Sequence, residues 1–282
     1  MTLNLTGRRK PQFKLPSGAT DAHCHVFGPG AVFPYAPTRR YTPADAPKED
    51  LAALHAHLGI DRAVIVQASC HGSDNRAMLD AIAASPDTRR GVAVVDAATP
   101  PTDYPKLAKG GVRGVRFNFV RHLGGMPDLA LLENVVRRVA PLGWHVVFHL
   151  DAADIAAVSD LVIRQPVPVV IDHMGRVPAK DGVTQAPFQA LLKLLDHKHV
   201  WVKVCGAERI SMPPYDEAIP IAAKLMEVAG DRALWGTDFP HPNATHEADE
   251  ADLVDLVPKF APDPAAQRRL LVENPAKLYG FR

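Results

Sequence analysis

Short apolar runs alternate with longer amphipathic segments along the whole chain. Several runs, such as Ala63–Val66 (AVIV), are continuously apolar and β-branched, as is typical of parallel strands buried on both faces. The pattern predicts eight strands, at Ala19–Phe27, Arg62–Ala68, Gly91–Val95, Gly114–Phe119, His145–Phe148, Val167–Ile171, Val200–Val204 and Ala233–Gly236.

Helical periodicity appears between these runs, for example at Lys48–Leu58, Asn75–Ala84, Leu129–Ala140 and Phe188–Asp196. Regular alternation of strands and helices, followed by helical segments at the C-terminus, predicts a distorted (β/α)8 barrel. A doubly wound open sheet is the alternative. It is less favoured because no Gly-x-Gly-x-x-Gly follows the first strand, so a dinucleotide site is not expected.

The ends of the chain and the first connection differ in composition from the rest. Residues 1–17 are polar and contain proline, which predicts an arm on the surface or on a neighbouring subunit, with a single barrel domain over 18–282. The Pro-rich segment 29–47 is long for a connection between a strand and a helix. Long loops at that end of a barrel usually build or cover the pocket.

Composition excludes several classes of function. The chain of 282 residues has 32 Lys and Arg against 31 Asp and Glu, so a nucleic-acid-binding surface is not expected. No apolar run is long enough for a membrane span, and the start lacks the apolar stretch of a signal peptide. Three scattered cysteines fit a reducing, cytoplasmic setting. A monomer or a small homo-oligomer is expected.

The segment Asp-Ala-His-Cys-His at 21–25 carries the clearest chemical signal. His23 and His25 are two residues apart on a predicted strand, so both point to the same face, whereas Cys24 points away. Two imidazoles at a strand end can hold a metal ion or polarise a substrate and its water. The pair alone does not decide between these uses.

The other predicted strands also end on polar residues. An apolar strand that stops on His, Asp or Arg is hard to explain by folding alone, because each such group costs free energy to bury without a partner. In a barrel these ends meet at one face, so they predict a single site. The residues are Gln67, Ser69, Asp96, Arg116, Asn118, His149, Asp172, His173, Lys203, Cys205, Arg209, Asp238, His241 and Asn243.

Several of these residues also have a structural interpretation. Asp172 and His173 alternate, so we expect only His173 to face the barrel axis. Arg116 is equally consistent with a structural ion pair, and His149 with capping of a backbone carbonyl. Histidines in helices and connections are expected to be solvated, namely His55, His57, His197 and His199.

At these residues the chain resembles the amidohydrolase superfamily, and within it the 2-pyrone-4,6-dicarboxylate lactonases. The segments that carry the resemblance are DAHCHVFGP, VIVQASCHGSDN, GVRFNF, VVIDHMGR and WGTDFPHPN, spread from residue 21 to residue 243. The resemblance implies hydrolysis of an anionic lactone, such as 2-pyrone-4,6-dicarboxylate, to the ring-opened oxalo-tricarboxylate in the breakdown of aromatic acids.

The resemblance also implies residue roles. Asp238 would be the base that activates water, and His23, His25 and His173 would bind or polarise the lactone carbonyl. The remaining predicted residues would hold the dicarboxylate substrate or surround it: Tyr41, Ser69, Arg116, Arg121, His149, Arg176, Arg209, His241 and Asn243. In such enzymes no cofactor or metal is required.

The chain departs from this pattern at two places. His149 stands where the pattern has a tyrosine, and His122, after Arg121, where it has an arginine. An additional histidine restores a potential metal ligand, so a second hypothesis remains: a hydrolase or decarboxylase holding one Zn²⁺ through His23, His25, His149 and Asp238. Its substrate would be a muconolactone, a sugar lactone or another carboxylated compound.

Overall fold

The computed structural model describes residue 3, residue 5 and residues 7–282. Eight parallel strands follow one another in chain order around a nearly closed barrel, which confirms the predicted amidohydrolase-like (β/α)8 fold. The strands are β1 (Thr20–Cys24), β2 (Arg62–Val66), β3 (Arg89–Ala93), β4 (Val112–Asn118), β5 (His145–His149), β6 (Val169–Ile171), β7 (Val200–Lys203) and β8 (Ala233–Leu234).

Helices cover the outside of the barrel and bury their apolar faces against the strands. In α4, for example, Leu132, Val135, Val136 and Val139 are buried, and Asp128 caps the N-terminus by accepting from Ala130 N. The helices are α1 (Lys48–Leu58), α2 (Arg76–Ala83), α3 (Asp103–Lys109), α4 (Leu129–Val139), α5 (Ile155–Ile163), α6 (Ala186–Leu195), α7 (Ala207–Ile210), α8 (Ala218–Ala229), α9 (Glu250–Asp255), α10 (Val257–Phe260), α11 (Pro264–Arg268) and α12 (Asn274–Tyr279).

The seam between β8 and β1 is closed by individual hydrogen bonds. Ala22 N donates to Trp235 O at 2.8 Å, and Asp238 N donates to His23 O at 2.7 Å. Gly236 allows this close approach, since a Cβ there would lie 2.5 Å from His23 N. The polar ends of β1 and β8 therefore lie side by side.

The buried carboxylate of Asp21 strengthens the same seam. It accepts from Thr237 N at 3.1 Å, from Thr237 Oγ1 at 2.5 Å and from His55 Nε2 at 3.1 Å. His55 is thus a buried partner of Asp21, and the expectation that it is solvated is wrong. A histidine on the inner face of α1 can reach the strand that the helix covers.

The described part of the N-terminal arm lies along α1 and α9. Leu3 N donates to Asp50 Oδ1 at 2.7 Å, and Arg8 pairs with Glu250 at 2.7 Å. These contacts place the arm on the chain's own barrel. Its separation from one domain over 18–282 stays a prediction. Within the described ranges, no helix combines the length and apolar character that crossing a membrane demands.

Candidate active site

A small cavity opens at the carboxyl ends of the strands, where the sequence predicts the site. Ten of the predicted site residues line it, together with three that were not predicted to do so. The lining residues are His25, Tyr41, Ser69, Arg116, His122, Leu123, His149, His173, Arg176, Arg209, Asp238, Pro242 and Asn243.

Asp238 lies at the floor of this cavity in a left-handed backbone conformation, with φ of 60°. Arg209 Nε donates to Asp238 Oδ2 at 2.7 Å, while Oδ1 is buried without a hydrogen-bond partner among the described residues. Burial alone would raise the pKa of Asp238, but Arg209 and neighbouring histidines hold it well below its usual range. The residue is therefore a carboxylate with one free oxygen.

His25 is oriented towards that free oxygen. Its Nδ1 donates to the carbonyl of Val66 at 2.8 Å, because a carbonyl only accepts. Its Nε2 lies 3.2 Å from Asp238 Oδ1. A water molecule bound at Oδ1 would therefore also meet the edge of the His25 ring.

His23 lies deeper than predicted. It is fully buried and does not line the cavity, and its Nε2 is 3.5 Å from Asp238 Oδ1. Burial lowers the pKa of His23 to about 4, so the ring is neutral near pH 7. The geometry thus gives His23 contact with the carboxylate and not with a bound lactone.

Asp172 and His173 both face the interior, so the expectation that Asp172 points away from the barrel axis is wrong. β6 ends at Ile171, and the chain then turns so sharply that His173 has a φ of 49°. Strand alternation no longer applies beyond that point. His173 enters the cavity wall, with Nδ1 3.6 Å from Cys205 Sγ, and burial lowers its pKa well below the usual value.

Below the cavity, Asp172 pairs with Lys203, which the sequence placed among the polar strand ends without assigning it a partner. Lys203 is fully buried, and its Nζ lies 3.0 Å from Asp172 Oδ1 and 2.9 Å from His23 Nδ1. Burial would raise the pKa of Asp172, but Lys203 and His23 hold it well below its usual range. The available signal was a lysine inside the apolar strand Val200–Val204.

Three arginines line the cavity, and they differ in their partners. Arg209 is engaged by Asp238, and Arg176 Nε lies 3.5 Å from Asp151 Oδ1. Arg116 is buried and donates to the backbone carbonyl of Gln67 at 2.6 Å, while its Nε has no partner among the described residues. Its guanidinium has no carboxylate partner among those residues, so the structure does not support an ion-pair role for it.

His149 also lines the cavity, with its ring centroid 5.3 Å from that of His173. Its Nδ1 is 3.0 Å from Asn118 Oδ1, and its Nε2 is buried without a partner among the described residues. Burial lowers the pKa of His149 well below its usual value. His149 therefore offers a neutral ring nitrogen to the cavity.

Two predicted substrate ligands lie outside the cavity. The Arg121 side chain is 74% exposed and pairs with Asp154 at 2.9 Å, because it follows β4 on the outer side of a turn. His241 is enclosed behind the Asp238 loop, 3.6 Å from Glu208 and 3.3 Å from Glu250. These two carboxylates raise its pKa to about 10 against the opposing effect of burial. Neither side chain lines the cavity, so neither predicted contact with substrate is supported by its position.

The polar rim of the cavity contains hydroxyl and amide groups. Ser69 Oγ and Tyr41 Oη lie 3.4 Å apart, and Tyr41 comes from the Pro-rich first connection. Asn243 lies on the loop that follows β8. His122 and Leu123 complete the wall, although the sequence singled out their neighbour Arg121 for that role.

Three candidate metal ligands lie close enough together to hold a metal ion, but the cations beside them disfavour one. Potential ligand atoms of His23, His25 and Asp238 lie within 4.8 Å of one another, and His149 belongs to none of the candidate metal-binding groups among the described residues. The Asp238 carboxylate is already paired with Arg209, and Lys203 contacts His23. These two cations oppose a third positive charge there. The predicted four-ligand zinc set is therefore not assembled.

An eight-stranded (β/α)8 barrel with His, Asp and Arg at the strand ends defines the class of amidohydrolase-type barrels. The chain belongs to the amidohydrolase family, whose model matches residues 20–281.

Curated relatives and solved structures are similar over nearly the whole chain. A 2-pyrone-4,6-dicarboxylate hydrolase from Comamonas testosteroni is 47% identical, covering 96% of this chain and 92% of the relative. A 4-sulfomuconolactone hydrolase from Rhizobium radiobacter is 43% identical, covering 95% of this chain and 92% of the relative. A structure described as a probable 2-pyrone-4,6-dicarboxylic acid hydrolase from Acinetobacter baumannii, with citric acid bound, has a TM-score of 0.83 at 29% identity, covering 94% of this chain and 100% of that chain.

Proposed function

We propose that this protein hydrolyses an anionic lactone, with 2-pyrone-4,6-dicarboxylate as the first candidate, to the ring-opened oxalo-tricarboxylate in the catabolism of aromatic acids. The observation that carries the proposal is a carboxylate with one free oxygen at the floor of a cavity lined by three arginines. A base and an anion-binding wall in one small cavity suit an acidic cyclic ester.

The charge pattern supports a substrate with more than one carboxylate. Arg116 has no acidic partner among the residues that the structure describes, and Arg176 is held only loosely by Asp151 at 3.5 Å. Guanidinium groups bind carboxylates in a bidentate manner, and a buried cation gains most from such a partner. Tyr41, Ser69 and Asn243 supply neutral hydrogen bonds at the rim.

The reaction follows from the position of Asp238. Oδ1 accepts a proton from a water molecule, and the resulting hydroxide oxygen bonds to the lactone carbonyl carbon. The carbonyl oxygen becomes an oxyanion, which His173 is placed to stabilise from the cavity wall. The oxyanion then collapses, the ring C–O bond breaks, and the departing oxygen receives the proton from Asp238.

The relatives support the same chemistry. The Comamonas testosteroni relative is named for 2-pyrone-4,6-dicarboxylate, and the Acinetobacter baumannii structure holds a tricarboxylate, citric acid. We infer that this chain also takes a small polycarboxylate. We further infer that it needs no metal, because Arg209 already neutralises the Asp238 carboxylate that a metal ion would bind.

A second candidate substrate has a specific observation in its favour. The Rhizobium radiobacter relative, at 43% identity, is named for 4-sulfomuconolactone, which is also an anionic lactone. A sulfonate presents oxygen acceptors to arginine as a carboxylate does. Both substrates require the same base and the same cationic wall.

Ring opening can be followed directly, because 2-pyrone-4,6-dicarboxylate loses its conjugated ring and its ultraviolet absorption changes. The purified protein should turn over this compound with a higher kcat/KM than 4-sulfomuconolactone or an uncharged lactone. Asp238→Asn, which keeps the shape but removes the base, should lower kcat by about 10²- to 10⁴-fold. Near-normal turnover by this variant would remove Asp238 from its role, and no turnover of any lactone would overturn the proposal.

A further inference from the structure

Lys203, Asp172 and His23 form a buried cluster beneath the cavity. All three side chains are inaccessible to solvent, and none of the three lines the cavity. Burying an ammonium group costs several kcal/mol unless a partner compensates it, and even a paired buried charge is weak support for stability. A lysine at this position in β7 therefore calls for a reason other than folding.

The contacts of the cluster are directional. An ammonium group only donates, so Lys203 Nζ donates to His23 Nδ1 at 2.9 Å and forms an ion pair with Asp172 Oδ1 at 3.0 Å. A neutral imidazole carries one N–H. If Nδ1 accepts from Lys203, the proton of His23 must be on Nε2.

His23 Nε2 faces the carboxylate that we propose as the base. It lies 3.5 Å from Asp238 Oδ1, an oxygen that His25 Nε2 also approaches at 3.2 Å. Neither His23 Nε2 nor Asp238 Oδ1 has a hydrogen-bond partner among the described residues. A proton on Nε2 gives an attraction between ring and carboxylate, whereas a lone pair there gives repulsion. The hydrogen bond from Lys203 thus determines whether His23 attracts or repels the Asp238 carboxylate.

Asp172 can favour the other tautomer of His23, in which the proton is on Nδ1. Asp172 Oδ1 lies 3.3 Å from His23 Nδ1 and can accept a proton from it. Lys203 and Asp172 therefore compete for the same ring nitrogen, one as a donor and the other as an acceptor. The shorter contact, at 2.9 Å, belongs to Lys203.

We propose that Lys203 is a positioning residue that holds His23 as the Nε2–H tautomer, so that His23 orients the carboxylate of Asp238 from below. Only the expected effect of Lys203 on turnover rests on the proposed function. The hydrogen-bond arrangement itself is a property of the protein without substrate. Since Lys203 does not line the cavity, its loss should lower kcat and leave KM nearly unchanged.

The tautomer is measurable by NMR of the full-length protein labelled with ¹⁵N-histidine, without substrate, near neutral pH. The signal of His23, identified by its absence in His23→Gln, should show the pattern of a ring protonated at Nε2. In Lys203→Met, the proton should move to Nδ1, where Asp172 can accept it. A wild-type ring protonated at Nδ1 would overturn the proposal, whatever the variants do.

Kinetics give a second, independent test. Lys203→Met should lower kcat about 10- to 100-fold, which is the usual effect of removing a group that orients a functional side chain. Arg232→Met is the matched control, because it removes a buried cation, 2% exposed, at the other end of the barrel. The control should leave the His23 tautomer and kcat unchanged even if stability falls.

If Lys203→Met does not fold, Lys203→Met with Asp172→Asn removes both charges together and should show the same loss of kcat. An unchanged kcat in a folded Lys203 variant would overturn the proposal. Absence of lactone turnover in the wild type, with the Nε2–H signal present, would reject the proposed function and leave the Lys203–His23 arrangement standing.

Discussion

At the scale of single residues, substrate binding depends on which charged side chains of the cavity are already paired. Arg209 pairs with Asp238, and Arg176 lies near Asp151, whereas the hydrogen bond of Arg116 within the described part of the chain goes to a backbone carbonyl. A buried guanidinium without an anion has a strong electrostatic reason to bind one. Arg116 should therefore contribute more to substrate binding than the other two arginines.

Arg116→Met should raise KM for 2-pyrone-4,6-dicarboxylate by about 10- to 100-fold, the equivalent of losing one hydrogen bond to a charged group. Steady-state kinetics give the value. Arg113→Met is the control on the same strand, since Arg113 donates to the carbonyls of Ala108 and Val112 and does not line the cavity. An unchanged KM in Arg116→Met would show that Arg116 has a structural role.

Residue types at strand ends could be read from the sequence, but their partners could not. The sequence places His25, His173 and Asp238 at one mouth because parallel strands end on one side. It could not place Asp172 inside, since that depends on the left-handed turn at His173. Nor could it show that Lys203 meets His23, because the two lie on different strands.

At the scale of elements, the strands were predictable because each is a short apolar run, while their ends depend on the neighbouring strands. β1 was predicted to reach Phe27 but ends at Cys24, and its register with β2 shifts between Asp21 and Cys24. β6 begins at Val169, after Pro168, because proline lacks the N–H that a ladder needs. α1 keeps its predicted bounds, since its pattern ends at Gly59 in a left-handed conformation.

The seam between β8 and β1 should be sensitive to the loss of one hydroxyl. Thr237→Val keeps the side-chain shape but removes the bonds from Thr237 Oγ1 to Asp21 and from Phe239 N to Thr237 Oγ1. The free energy of unfolding should fall by about 1–3 kcal/mol, and kcat should also fall, because Asp238 follows directly. Urea unfolding measures the first effect, with Thr245→Val, at an exposed threonine, as the control.

At the scale of the whole molecule, the barrel keeps several histidines neutral in its interior. Burial lowers the pKa of His23 to about 4 and of His145 to about 3, and it lowers the pKa values of His149 and His173 as well. His241 is the exception, with a pKa raised to about 10 by Glu208 and Glu250. The free energy of unfolding should therefore fall as the pH drops below neutrality and also fall as the pH rises above it.

A histidine with a lowered pKa binds fewer protons in the folded state than in the unfolded chain, where its pKa is about 6.5. Each of the four should therefore reduce the free energy of unfolding as the pH falls below about 6.5, by up to about 1.4 kcal/mol per pH unit. The His241 contribution is complete below about 6.5 and is lost as the pH rises towards 10. Urea midpoints that stay constant between about pH 7 and about pH 5 would contradict this description of the interior.

We propose that Asp238 activates water to hydrolyse an anionic lactone in a cavity whose cations come from the protein itself. The most direct test is the rate of 2-pyrone-4,6-dicarboxylate ring opening by protein that has been treated with a chelator and shown to be metal-free by elemental analysis. We expect full turnover by the wild type, unchanged on addition of Zn²⁺, and loss of turnover in Asp238→Asn. Turnover that vanishes on chelation and returns with Zn²⁺ would contradict this metal-independent mechanism.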